Sequence, residues 1–143
     1  MARNPYPARW PTASRTQVRR APIKSGASFL AGELVKLTSN EIEQCVADPT
    51  VVAGIACDGS ADVVETGYVN YYAADQETLW AVESSTTPVF ATHVGVSYGV
   101  AVASGIWTLD IAETSTVVFT VVDTIENVTP KLFICKFHVD ALS

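Results

Sequence analysis

Short apolar runs alternate with polar breaks along the chain from residue 25 onward. Runs such as SFLAGELVKL (28–37), VVAGIAC (51–57) and YVNYYAA (68–74) are separated by segments such as TSNE, ADPT and DGSAD. Turn-forming segments at this short, nearly regular spacing are typical of β-strands joined by tight connections. The pattern predicts eight to ten short strands, one of which covers PVFATHV (88–94).

The clearest alternation lies in the last third of the chain. One face of a strand over KLFICKFHVD would carry Phe133, Cys135, Phe137 and Val139, and the opposite face would be only half polar. No long stretch follows the 3.6-residue period of a helix. We therefore expect an all-β fold, a compact antiparallel β-barrel or sandwich with an extended N-terminal arm.

The first two dozen residues differ from the rest of the chain in composition and in the spacing of their apolar residues. Prolines stand at positions 5, 7, 11 and 22, where they remove backbone donors and disfavour both helix and central strand. The spacing of the apolar residues there fits neither the two-residue period of a strand nor the 3.6-residue period of a helix; these residues are Tyr6, Trp10, Val18 and Ile23. We therefore divide the chain into an extended, basic, Pro/Arg-rich arm (1–25) and a β-barrel or sandwich body (26–143).

Charge is divided in the same way. Residues 1–24 carry five arginines, one lysine and no acid, which gives +6. The remainder carries three lysines and fifteen acids, which gives −12, and the two sum to the net charge of −6. Charged residues make up 17% of the chain, against about 25% in an ordinary domain. We therefore expect some apolar surface to face a partner.

Catalytic and metal-binding patterns are not found in the sequence. His93 and His138 are isolated within expected strands, no Gly-x-Ser-x-Gly turn is present, and DGSAD lacks the remaining ligands of a calcium loop. Cys45, Cys57 and Cys135 are odd in number and widely spaced, which predicts reduced, buried thiols. We expect no enzymatic activity, metal, cofactor or small-molecule substrate.

Membrane signals are also not found. The basic N-terminus is not followed by the apolar segment of a secretory signal. The sequence has no apolar run of about 18 residues or more, the length needed for a membrane-spanning helix. We therefore expect no membrane partner.

The arm is the best candidate for binding, because arginine and aromatic residues are the usual anchors of protein interfaces. The expected partner-binding residues are Arg3, Tyr6, Arg9, Trp10, Arg15, Arg19 and Arg20. A strap across a protein surface is favoured over nucleic-acid binding, since the acidic body would repel a polyanion. A third alternative is a receptor- or glycan-binding module that stacks sugars on Trp80 or Trp107, although alternating apolar neighbours favour core positions for both.

Two segments carry a resemblance to a known family. They are Ala31-Gly32-Glu33-Leu34-Val35 and Val52-Ala53-Gly54-Ile55-Ala56. These, together with the later run from LWAVESSTTPVF to KLFICKFHVD, resemble the head decoration (cement) proteins of tailed bacteriophages over about residues 26–141.

The resemblance implies a non-enzymatic virion protein, assembled in the host cytoplasm and located on the outer capsid surface. Its expected partner is the major capsid protein, which such proteins often bind as homotrimers at three-fold positions. Neighbouring capsomers would thereby be clamped against the pressure of packaged DNA, with the arm serving as the strap.

Overall fold

A computed structural model describes residues 3–8, 17–127 and 129–142. These residues form eleven strands, one short helix and two 3₁₀ turns at 60–63 and 139–141. The elements are β1 (Tyr6–Pro7), β2 (Val18–Pro22), β3 (Leu34–Thr38), β4 (Glu41–Gln44), β5 (Gly54–Ala56), β6 (Tyr68–Ala73), β7 (Trp80–Val82), α1 (Phe90–His93), β8 (Ser97–Ala103), β9 (Ile106–Asp110), β10 (Phe119–Ile125) and β11 (Leu132–Phe137).

The strands form two antiparallel sheets. The six-stranded sheet has the order β1-β7-β11-β10-β8-β9, and the five-stranded sheet has the order β2-β6-β5-β3-β4. Both sheets curl. In the five-stranded sheet the end of β2 returns to β4 through a bridge between Ile23 and Ile42. The prediction of an all-β barrel or sandwich is confirmed.

The main core is built on the inward faces of the six-stranded sheet and the neighbouring strands β3 and β5. Its largest members are fully buried aromatic side chains: Trp80, Trp107, Phe119, Phe133 and Phe137. Phe119 and Phe137 have ring centroids 4.7 Å apart, and Trp80 meets Phe137 edge-on at 6.1 Å. The core position expected for both tryptophans is confirmed.

A second, smaller core lies inside the curl of the five-stranded sheet. It contains Ala21 of β2, Val35 of β3, Ile42 of β4 and the β6 residues Val69 and Tyr71. In β4 and β6 the residues of this core alternate with outward-facing residues, as the two-residue period of a strand requires. β2, the first strand of this sheet along the chain, therefore contributes Ala21 to the small core.

The chain around residues 88–94 differs from the expected strand. It forms α1, and His93 is buried, where its ring nitrogen Nδ1 accepts a hydrogen bond of 2.9 Å from the N–H of Val89. A short apolar run has no period long enough to distinguish helix from strand. The expected strand over KLFICKFHVD also ends earlier, and His138 instead caps the 3₁₀ turn that follows β11.

The N-terminal segment also differs from the expected free arm. Its described residues form β1 and β2, which are edge strands of the two sheets, and Ala8 and Ala21 are only 1% and 6% exposed. Prolines fit these positions because an edge strand does not need every backbone donor. Residues before the expected boundary at residue 25 therefore contribute a strand to each sheet in the part of the chain that the structure describes.

Candidate protein-interaction surface

The expected binding residues fall into two places in the structure. Arg3 and Tyr6 lie at the β1 edge of the six-stranded sheet, and Arg19 and Arg20 lie in β2 at the edge of the other sheet. The structure therefore brings these four together in two separate pairs. The three remaining expected residues lie outside the described part of the chain: Arg9, Trp10 and Arg15.

Arg3 and Tyr6 are engaged within their own domain. The guanidinium carbon of Arg3 lies 3.8 Å from the centre of the Tyr6 ring, and the N–H of Arg3 donates to the Glu83 carboxylate at 2.9 Å. Tyr6 is half-buried and packs on a small apolar cluster that includes Ala81 and Ile134. This pair therefore fastens the segment to the sheet.

Asn4 closes the far edge of the same sheet. Its side-chain amide donates to the carbonyl oxygen of Gly105 at 3.0 Å, and its side-chain oxygen accepts from the N–H of Trp107 at 2.7 Å. The Asn4 side chain thus occupies two backbone groups at the start of β9 that a neighbouring strand would otherwise bond. The next outward donor of β9, the N–H of Leu109, bonds to the carbonyl oxygen of Glu83.

The first segment that carries the family resemblance lies beneath Asn4. Gly32 has a φ of +93°, and a side chain there would come within 2.9 Å of the Asn4 Cβ atom. Glu33 is 8% exposed, and its carboxylate accepts from the indole N–H of Trp107 at 3.1 Å and from the N–H of Leu30 at 2.8 Å. Gly32 therefore leaves room for Asn4, and Glu33 holds the Trp107 side chain in place.

β2 is the exposed edge of the five-stranded sheet. The carbonyl oxygen of Gln17 accepts from the N–H of Ala73, and the N–H of Ile23 donates to the carbonyl oxygen of Gly67. In this register the odd-numbered residues of β2 bond to β6. The backbone groups of Val18 and Arg20 therefore point away from the sheet.

The side chains of the two β2 arginines project from opposite faces of this edge. Arg19 shares the face of the buried Ala21 and lines a cavity of about 210 Å³ at the mouth of the curl, together with Gln17 and Tyr71. Arg20 lies on the outer face, with its guanidinium carbon 4.7 Å from the centre of the Tyr68 ring. Both arginine side chains are exposed.

Neither β2 arginine has an acidic partner among the described residues. The ion pair found there is Lys24 with Glu43 at 3.2 Å, whereas His138 Nδ1, 3.6 Å from the Asp140 carboxylate, accepts a hydrogen bond from the N–H of Asp140. The positive charges at the β2 edge are therefore available to an external anionic group, while most of the domain's remaining charge is negative.

Exposed apolar side chains form a second feature around α1. Val89, Phe90 and Val96 are 43%, 55% and 38% exposed within eight residues of chain. Such neighbouring apolar side chains are common where a protein contacts another subunit.

The cysteine thiols are poor nucleophiles. Burial raises the pKa of Cys45 to about 12 and places the pKa of Cys135 still further above its usual range. Cys57 is half-buried beside a cleft of about 460 Å³, and burial raises its pKa as well. All three thiols are free.

Within residues 3–8, 17–127 and 129–142, no group of three or more histidine, cysteine or acidic side chains could hold a metal ion. In the same part of the chain, no helix has the length and apolar character needed to cross a bilayer. Trp80 and Trp107 are 0% and 1% exposed, so neither presents a ring face on which a sugar could stack.

Tyr68 and Asn4 are contributors that sequence reasoning missed. The alternation in YVNYYA places Tyr68 and Asn70 on the outer face of β6 and Val69 and Tyr71 inward, so the position of Tyr68 could have been found from the strand period. No sequence signal could have found Asn4, since its partners lie about a hundred residues further along the chain.

No protein-family model matches the chain, and neither a curated protein nor a solved structure does.

Proposed function

We propose that this chain is a virion structural protein that binds the outer face of an assembled capsid and stabilises contacts between neighbouring capsomers. The observation that carries the proposal is the exposed β2 edge. There Arg19 and Arg20 carry positive charge without an acidic partner in the described residues, on a domain that is otherwise strongly acidic. A basic surface of this kind suits an acidic protein surface.

The placement of the basic residues refines the expected strap. The described part of the N-terminal segment is folded into its own domain, so the attachment surface is a sheet edge rather than a freely extended arm. A rigid edge loses less conformational entropy on binding than a disordered arm does. In a homotrimer the three linked β2 edges would act multivalently, so a weak contact per edge would give firm attachment of the trimer.

We also propose that the protein is a homotrimer on the shell, and the exposed side chains around α1 support this. Val89, Phe90 and Val96 are three exposed apolar side chains on one short segment. In a closed ring each copy would bury this segment against a neighbour.

The test uses heads of the phage that encodes this chain, assembled without it. Purified protein is mixed with these heads, and the bound fraction is measured by sedimentation at several salt concentrations. We expect saturable binding, and we expect Arg20→Glu to weaken it by about tenfold or more, since one favourable charge becomes repulsive on every bound copy.

The matched control is Lys131→Glu, which makes the same change of charge at an exposed residue distant in sequence from β2. It should bind as the unaltered chain does. Heads that fail to bind the unaltered protein would refute the proposal. Binding to duplex DNA instead, with a salt slope of about −0.9 per neutralised phosphate, would favour the nucleic-acid alternative.

A further inference from the structure

Three of the four sheet edges are closed or obstructed. On β1, Ala8 donates to the carbonyl oxygen of Leu79, so Pro7 stands at an outward position, where it has no N–H to offer. On β9, the outward donors of Trp107 and Leu109 are occupied, as described above. Proline and side-chain cover are the usual means by which proteins block an edge strand.

The β4 edge is partly covered by the chain that follows β2. The N–H of Lys24 donates to the carbonyl oxygen of Ile42, and the Gln44 side chain accepts from the N–H of Ser28. Among the described residues of β4, only Gln44 then has outward backbone groups without a partner. β4 therefore cannot offer two successive pairing positions.

β2 differs from the other edges. Val18 and Arg20 both present an N–H and a carbonyl oxygen outward, and these groups have no partner among the described residues. Pro22 ends the open stretch because it lacks an N–H. The two outward residues are separated by one residue, which is the repeat at which another strand would pair.

We propose that the β2 edge binds an extended acidic segment of a partner protein by strand addition, with two consecutive carboxylate residues opposite Arg19 and Arg20. Main-chain hydrogen bonds to Val18 and Arg20 would supply affinity, and the arginines would supply specificity. Because these arginines project from opposite faces, their carboxylate partners must alternate faces too. This inference rests on the function proposed above, in which β2 binds another protein.

Charge also determines which strand is rejected. A second β2 paired across a two-fold axis would place arginines opposite arginines, which is unfavourable. Glu43 of β4 does not compete from within the domain, because its carboxylate is engaged by Lys24 and by the Thr38 hydroxyl. The edge is therefore selective for an acidic strand over a further copy of itself.

The probe is the capped peptide Thr-Val-Glu-Asp-Val-Thr, titrated into the full chain and followed by amide hydrogen exchange. We expect the amides of Val18 and Arg20 to exchange at least about tenfold more slowly with peptide bound. The amides of Arg19 and Ala21, which already face β6, should not change. A Lys-Lys version of the peptide should bind at least about tenfold more weakly.

Backbone pairing is tested separately from charge. Val18→Pro removes one outward donor, as Pro22 does naturally, and should weaken peptide binding by about tenfold, whereas Val18→Ala should not. If Val18→Pro does not fold, the unaltered chain is tested instead with two modified peptides. One is methylated at the backbone nitrogen of its Glu, and the other at the backbone nitrogen of its Asp. Only alternate N–H groups of an added strand face β2, so one methylated peptide should lose binding and the other should keep it.

Three outcomes would overturn the inference: no peptide binding, equal binding of both methylated peptides, or unchanged exchange at Val18 and Arg20. If heads still bind and Arg20→Glu still weakens that binding, the proposed function stands while strand addition fails. If the peptide protects the β2 amides but heads do not bind, strand addition stands and the capsid role fails.

Discussion

Asn4 provides the sharpest test of whether the N-terminal segment belongs to the folded domain. Substituting Asn4→Ala leaves the carbonyl oxygen of Gly105 and the N–H of Trp107 without their partners. An unsatisfied buried polar group costs about 1–3 kcal/mol, and these sites are only partly buried. We therefore expect the free energy of unfolding to fall by about 2–3 kcal/mol, with a decrease in Tm of about 5–10 °C.

The measurement is urea-induced unfolding followed by tryptophan fluorescence, in which the midpoint should fall while the slope m stays constant. The matched control is Asn70→Ala, at an exposed position on β6, which should change the free energy by no more than about 0.5 kcal/mol. A loss below about 0.5 kcal/mol for Asn4→Ala would contradict the reasoning. In that case the segment would be an appendage, as the sequence pattern suggested.

Two further predictions follow from the titrating groups. In the folded chain, iodoacetamide at pH 8 should modify Cys57 first, since burial is deeper at Cys45, where it raises the pKa to about 12. Mass spectrometry should find Cys45 modified only in denaturant, and equal rates at both thiols would contradict this. Hydrogen bonds from Thr38 and Lys24 lower the pKa of Glu43 from 4.5, so its stabilising contribution is present above that pH and is lost as the pH falls through the folded-state value. The urea midpoints of Glu43→Gln and the unaltered chain should therefore converge below about pH 4, whereas a pH-independent difference would refute the assignment.

The structure also changes how the N-terminal segment should be tested. Removing residues 2–24 would delete β1 and β2, and with them Asn4 and the buried Ala8 and Ala21. Loss of binding by such a truncation would not separate attachment from folding. Single substitutions of exposed β2 residues change the surface without removing a strand, so they are the more informative variants.

The candidate site was only partly accessible from the sequence. The abundance of arginine in the first 24 residues indicated a binding region, and Arg19 and Arg20 do lie on an exposed edge. Arg3 lies in the same arginine-rich segment, yet its backbone N–H bonds to Glu83 and its guanidinium packs on the Tyr6 ring. Composition reports the charge of a segment, whereas contacts determine which charges remain available.

The sequence by itself determined the all-β class, the alternating faces of the strands and the division of charge. These properties depend on neighbouring residues, whose spacing of two along a strand is visible in the sequence. The tertiary structure decided which strands lie at the edges, that Asn4 replaces a strand beside β9, and that residues 90–93 form a helix. The first two depend on contacts between distant parts of the chain, which the local period does not show. The helix lies in an apolar run too short for its period to distinguish helix from strand.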